Sequence, residues 1–373
     1  MAAVASLFLW GCQTTGGDSA KPEDSAPTEE TAVETAAPEP KMEVPKEEEL
    51  ASETSAAQPA PSESSLSFGL NSLKRQVSHF GAQVTEPTGN DDLWKVSVGA
   101  RELVLKEKSR MAWIDGTKVF LDAPFSRRMG QWLLGASDEA IVLPSALADE
   151  GGEPREIKTI VIDPGHGGSE PGTRNATLGL LEKDLNLDVS LRLQAHLEEA
   201  GFKAVLTRYE DRLVTLEERS EIANGVKADL FVSVHFNAAP NKQANGVETY
   251  LLTPQGQPST GDGKAGDDAV AYPGNEYDLE SFELGLRVQI NLLERLKRED
   301  RGVKKGRFVV LRGLKCPGIL VECGFLSHKD EALLISTAGY RERVALSLAD
   351  AIKSFAANER FQGRIEEQDS NGR

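Results

Sequence analysis

The chain has 373 residues, 42 Lys and Arg against 59 Asp and Glu, and a net charge of −17. That length accommodates two domains plus tails, and that charge balance excludes binding along a phosphate backbone, which needs a basic face. Three cysteines exclude a disulfide framework. Cys12 follows the apolar run "AAVASLFLWG", which is far too short to span a membrane. An apolar run, a small residue and then Cys resembles a bacterial lipoprotein signal. Residues 1–17 are accordingly expected to be an export signal, with lipid on Cys12 and the protein held at the membrane. Residues 18–65 hold 13 acidic and 3 basic side chains and seven prolines, so −10 of the −17 sits there. With so few large apolar groups this stretch is expected to be a disordered tether.

Residues 66–146 read as a small β-rich domain. "LNSLKRQVSHFGAQV" predicts a short helix ended by Gly81. "LWKVSV" alternates apolar and polar residues, and "MAWIDGTKVFL" predicts a hairpin turning at Asp115-Gly116. "AIVL" at 140–143 is read as closing this β-rich stretch. The region resembles the copper-amine-oxidase-like N-terminal module, a likeness of fold that implies no copper. His79 is its one histidine, too few for a metal site. Residues 147–156 are a polar linker.

From 157 to 355 the pattern becomes alternating strands and helices. "KTIVID", "KAVLT", "LFVSVH", "VETYLL", "RFVVL" (307–311) and "GILVEC" predict strands. Helices are predicted from near Leu181 to Gly201, from about Asp278, and over roughly 339–355. Near-continuous apolar strands between helices predict a mostly parallel open sheet covered on both faces, an α/β fold, with its ligand site beyond the carboxyl ends of the strands. Residues 253–277 interrupt this domain with a Gly- and Asp-rich insert, expected to be a flexible rim loop able to act as a lid. Residues 356–373 form a polar tail.

Four polar residues from separate segments map to that carboxyl edge. His166 follows the first strand in "VIDPGHGG", His235 ends "LFVSVH", Glu322 sits near the end of "GILVEC", and Glu182 lies in the first turn of the first helix. Two imidazoles and one carboxylate form the ligand set of a catalytic zinc that keeps a position for water, and the other carboxylate would be the general base. The glycines around His166 permit close approach and positive φ. Packing or capping for the histidines, a macrodipole role for Glu182 and pairing of a buried Glu322 with an arginine are the plainer alternatives. Asp163 either orients a ligand imidazole or caps the turn, and Asn237 is a loop hydrogen-bonder or a substrate contact.

Six pieces, "VIDPGHGG", "EKDLNLDVS", "LTRYEDRLVTLEERSEIAN", "ADLFVSVHFNA", "GVETYLL" and "CPGILVECGFLS", stand in the order found in the zinc-dependent N-acetylmuramoyl-L-alanine amidases of the amidase-3 family. Residues 157–355 resemble that family. The resemblance implies one zinc ion bound by His166, Glu182 and His235, and Glu322 as the catalytic acid/base. It implies peptidoglycan as substrate, cut at the amide between N-acetylmuramic acid and L-alanine, in the periplasm or cell envelope. It leaves an activator protein unspecified. Arg208 and Arg219 also match family positions, with structural pairing as an alternative role. His196, His328, Cys316 and Cys323 are expected to stay off the metal. A zinc peptidase or deacylase acting on another amide, and a lipid-anchored wall-binding protein without activity, are the rival readings. Retention of all four polar residues disfavours the second.

Overall fold

The computed structural model describes residues 73–128, 131–148, 154–261 and 269–359. Cys12, the acidic stretch 18–65 and the tail beyond 359 lie outside the described residues. Helix α1 (Leu73–Ser78) leads into an antiparallel meander of β1 (Gln83–Thr85), β2 (Leu93–Val98), β3 (Arg101–Lys106), β4 (Met111–Ile114) and β5 (Thr117–Phe120). The β4–β5 turn has Asp115 at φ 48° and Gly116 at φ 78°, the pair of positive angles a type I′ turn requires. A small hairpin of β6 (Ser126–Arg128) and β7 (Gln131–Leu133) follows, then α2 (Ala136–Leu147).

The second half runs β8 (Thr159–Pro164), a two-stranded hairpin of β9 (Arg174–Asn175) and β10 (Leu180–Leu181), α3 (Glu182–Glu199), β11 (Lys203–Leu206), α4 (Leu216–Gly225), β12 (Leu230–Asn237) and β13 (Val247–Leu252). A 3-10 turn at Pro273–Tyr277 then leads to α5 (Asp278–Leu296), β14 (Asp300–Gly306), α6 (Val309–Arg312), β15 (Gly318–Phe325), α7 (Lys329–Ile335) and α8 (Ala338–Ala356).

Eleven strands form one sheet in the order β1-β2-β3-β4-β5-β14-β13-β15-β12-β8-β11. β15, β12, β8 and β11 are parallel to one another, β13 is antiparallel to β15 but parallel to β14, and β5 joins β14. The sheet is therefore mixed, with its parallel part where the sequence places the ligand edge. Alternate residues of β8 face opposite layers. Ile160 and Ile162 pack with α3, α5 and α8, while Val161 packs with residues of α4 and α6. One contiguous apolar core includes Val96, Leu103 and Ile114 of the meander together with Val234, Val288 and Leu348, so the N-terminal strands and the later α/β part share an interior.

Two predicted strands are placed differently. "AIVL" lies inside α2, where Ile141, Val142, Leu143, Ala146 and Leu147 are buried; a four-residue apolar run reads alike as a strand or as a turn of buried helix. "RFVVL" is not a strand either. Val309–Arg312 is a helical turn, and the strand precedes it as "DRGVKKG". β14 escapes an apolar pattern because it buries Lys304 and Lys305, each against an acid: Lys304 Nζ lies 2.6 Å from Glu248 and Lys305 Nζ 2.6 Å from Asp122. Helices α4 and α7 were not anticipated, although Thr215 and Glu218 form a complete capping box for α4. The arm of the 253–277 insert up to residue 261 packs on β14 and Arg110, with Thr260 N donating to Lys305 O and Arg110 donating to the carbonyls of Pro258 and Ser259.

Candidate metal centre

β8 delivers the chain to the carboxyl edge and ends in Pro164. His166 then takes φ 60°, a left-handed angle that non-glycine residues rarely adopt, and Gly167 and Gly168 follow at φ 133° and 57°. Space demands the glycine just before it. A Cβ on Gly165 would stand 2.1 Å from His235 Cε1, and one on Gly172 would stand 2.5 Å from Glu182 Oε2. These two residues let a backbone loop close over the imidazoles and the carboxylate.

Glu182 opens α3 and is buried. Its Oε1 lies 3.2 Å from His166 Nε2 and 3.0 Å from His235 Nδ1, and it also accepts from Phe236 N at 3.2 Å. Thr173 N fixes the other oxygen at 2.7 Å. One ligand atom from each of His166, Glu182 and His235 falls within 4.8 Å of the others, and among the described residues this is the group of His, Cys, Asp or Glu that could hold a metal ion. The donor chemistry fits such an ion. Two imidazole nitrogens and one carboxylate oxygen converge under glycines whose missing side chains would collide with them, and among the described residues no lysine or arginine hydrogen-bonds Glu182. Burial pushes Glu182 towards its neutral form, but the hydrogen bonds and charge of the two imidazoles outweigh it and hold the carboxyl well below its usual range. The histidines diverge: burial lowers His235, whereas Glu182 overcomes burial at His166 and raises it.

Glu322 stands beside this triad, paired in register with His235 across β12 and β15. Its Oε2 is covered and has no hydrogen-bond partner among the described residues. Burial, then the negative charges of Glu182 and Glu248, raise its pKa well above the ordinary carboxylate value.

Among the described residues no hydrogen bond joins Asp163 to either imidazole. Asp163 lies 2.6 Å from Arg219 Nη1 and accepts from Thr207 Oγ1 at 2.6 Å and Ser233 Oγ at 2.7 Å. Arg219 and Arg208 then secure the His166 loop by its carbonyls. Arg219 donates to Pro164 O at 3.0 Å and His166 O at 3.0 Å, and Arg208 donates to Pro164 O at 2.9 Å and Gly165 O at 3.0 Å. Asn186 Nδ2 adds a bond to Gly165 O at 3.1 Å. Asn237 donates to Glu248 Oε1 at 2.7 Å. His196 pairs with Glu342, His328 caps α7, and Cys316 and Cys323 are buried free thiols. Sequence reasoning missed Glu248 and Asn186. The signal for Glu248 was an acid within the apolar strand "VETYLL", where a buried carboxylate demands a partner.

Residues 160–354 match the model of the family Amidase_3, described as N-acetylmuramoyl-L-alanine amidase. The chain is 34% identical over 215 residues to the Bacillus subtilis (strain 168) protein YqiI, which covers 58% of this chain and 93% of that protein. It is 30% identical over 262 residues to the N-acetylmuramoyl-L-alanine amidase LytC of the same organism, across 69% of this chain and 48% of LytC, so it spans about half the length of that relative. A crystal structure of an N-acetylmuramoyl-L-alanine amidase from Clostridium difficile 630 aligns at 32% identity and a TM-score of 0.45, covering 53% of this chain and 96% of that one. All of His166, Glu182, His235 and Glu322 lie inside the matched residues.

Proposed function

Because the chain belongs to the Amidase_3 family of N-acetylmuramoyl-L-alanine amidases, we propose that it hydrolyses the amide between the lactyl group of N-acetylmuramic acid and the L-alanine of the stem peptide in peptidoglycan, using one zinc ion. The observation that carries the reading is the sharing of Glu182 Oε1 by two imidazoles, with the partnerless Glu322 oxygen on the neighbouring strand. His166, Glu182 and His235 are the residues to hold the metal.

A zinc ion bound there supplies Lewis acidity at the scissile carbonyl and acidifies a water molecule. The protein's own contribution is position and proton transfer. Arg208 and Arg219 fix the loop that aims His166. Glu322 takes a proton from the attacking water and delivers it to the alanine nitrogen as the C–N bond breaks, so one water is consumed and a free carboxylate and amine result. Burial, then the charges of Glu182 and Glu248, raises its pKa, so this carboxyl holds a proton more readily than an exposed glutamate.

In this reading residues 157–355 carry the reaction, and the described residues among 66–146 are not in the metal-binding group. The enzyme works outside the cytoplasm in wall remodelling or daughter-cell separation. It is held to the membrane by lipid on Cys12, with residues 18–65 as a tether. Among the described residues no helix is long and apolar enough to cross a membrane. Labelled palmitate in cells tests the anchor: label lost in Cys12→Ser supports it, and an unlabelled wild type refutes it. Mass spectrometry of sacculi digested with purified protein tests the reaction. Free stem peptides beginning with L-alanine, beside glycan strands stripped of stems, are the expected products. Cuts within the stem, or none, would overturn the assignment.

A further inference from the structure

Glu248 on β13 is the direct cross-strand partner of Glu322 on β15. Directly opposed residues of an antiparallel pair share a face and stand close together, so buried Glu248 and half-buried Glu322 sit side by side next to the metal centre. Their surroundings differ sharply. Glu248 Oε2 lies 2.6 Å from Lys304 Nζ and 3.0 Å from Arg301 Nε. Its Oε1 accepts from Asn237 Nδ2 at 2.7 Å and from the Tyr250 hydroxyl at 2.9 Å. Both oxygens of Glu248 are thus engaged, while Glu322 Oε2 has no partner.

One buried ammonium therefore serves one of two adjacent carboxylates. Lys304 stands on β14 beside β13, with its Nζ on the carboxylate that directly opposes Glu322. Burial works against ionisation of Glu248, yet Lys304 and Arg301 hold that carboxyl below its usual range. A carboxylate locked to a buried ammonium is a poor proton acceptor and has lost a free oxygen. A group that carries a proton between water and a leaving amine needs that oxygen.

We propose that Glu248 is a positioning residue that holds Lys304 away from Glu322, leaving the Glu322 carboxylate free for proton transfer. The proposal rests on the amidase reading of Glu322. Glu248→Gln keeps an acceptor oxygen for Asn237 and Tyr250 but removes the charge that retains Lys304, so the ammonium turns to Glu322. In the zinc-loaded full chain, assayed on a soluble muropeptide, kcat falls about tenfold or more with KM little changed. Adding Lys304→Met to Glu248→Gln restores most of that loss, which a merely structural role for Glu248 would not allow. A crystal structure of Glu248→Gln shows Lys304 Nζ about 3 Å from a Glu322 oxygen.

Wild-type kcat in Glu248→Gln, a double variant as slow as the single, or a Lys304 that stays on residue 248 in the variant crystal each overturns the proposal. If Glu248→Gln does not fold, Lys304→Met is compared with the double variant. With the ammonium gone, loss of the Glu248 charge should change kcat by no more than about twofold, and a further large fall overturns the proposal. A wild-type enzyme inactive on muropeptide refutes the amidase reading instead, and the crystallographic arm still decides where Lys304 goes.

Discussion

Where β14 meets β5, Lys305 is buried, with its Nζ 2.6 Å from Asp122 Oδ1 and 3.5 Å from Asp138 Oδ1. Asp138 also accepts from the backbone N–H of Asp122 and Ala123, which ties α2 to the end of the meander. At the carboxyl edge of β8, β12 and β15, charge is arranged in the opposite sense. One ligand atom from each of Glu182, His166 and His235 converges there, and among the described residues no lysine or arginine is bonded to Glu182 and a covered oxygen of Glu322 beside them has no partner. Both regions bury ionisable groups in one sheet. The first sets one ammonium between two carboxylates and gains fixed geometry. The second concentrates acceptors, which is tolerable only where an ion or a migrating proton completes the set.

The largest expected effect separates these roles at the carboxyl edge. His166→Ala and His235→Ala should each lose bound zinc in elemental analysis and all measurable muropeptide hydrolysis, since ligand removal leaves too few donors. Gly165→Ala should do nearly the same, because the new Cβ would stand 2.1 Å from the His235 ring. Glu322→Gln should keep the metal and lose about 10²- to 10⁴-fold in kcat. Zinc loss in Glu322→Gln would place that carboxylate among the ligands and dissolve the division drawn here.

The same contrast explains what a single sequence discloses. His166, His235 and Glu322 were legible because apolar runs announce the strands whose ends carry them, and Glu182 because it opens a periodic helix. Strand β14 was not, since its buried lysines mimic a surface pattern until Glu248 and Asp122 are brought in from distant segments. α2 was misread because "AIVL" has no period of its own. The role of Asp163 was open for a similar reason: its partner Arg219 lies 56 residues away, and only the fold shows that the carboxylate holds an arginine rather than an imidazole. Strand ends and glycines are local information, whereas ion pairs are not.

Next in size is a test of that arginine anchor. Arg219 and Asp163 are both buried, 2.6 Å apart. Breaking a buried pair from one side leaves a charge without its counter-charge, so Asp163→Asn should lower the unfolding free energy by about 3–5 kcal/mol in urea denaturation. Activity should fall as well, because Arg219 also holds the carbonyls of Pro164 and His166. A loss below about 1 kcal/mol would mean that the pair behaves as an exposed one and does not brace the loop.

An effect of similar size belongs to the β14–β5 junction and depends on pH. Burial, then the charge of Asp122, raises Asp138 from 3.8 to about 7, while Lys305 and the backbone donors pull the other way. An acid whose folded pKa exceeds its unfolded one binds its proton more tightly when folded. Its contribution to stability is complete below pH 3.8 and is lost as pH rises through about 7. Across that window the wild type should lose up to about 1.4 kcal/mol per pH unit relative to Asp138→Asn. Parallel stability curves for the two proteins would show that folding does not raise the pKa of Asp138.

The smallest effect probes how the carboxyl edge obtains its rigidity. Arg219 reaches Asp163 and the His166 loop from α4, and the start of α4 is fixed by Thr215, whose hydroxyl accepts from Glu218 N at 3.3 Å while Glu218 Oε2 accepts from Thr215 N at 2.8 Å. Thr215→Ala removes one half of that reciprocal cap and leaves an N–H of the first turn to solvent. Loss of such a cap costs about 1 kcal/mol, well under the effect expected for Asp163→Asn, because Arg219 keeps its buried acceptors. If rigidity at the edge comes from the arginine and its acceptors, Thr215→Ala should lower stability by that amount in urea denaturation and leave zinc content at the wild-type level. A fall in zinc content would instead show that the helix start sets the ligand geometry, and that local capping, legible in the sequence as "TLEE", shapes the metal centre directly.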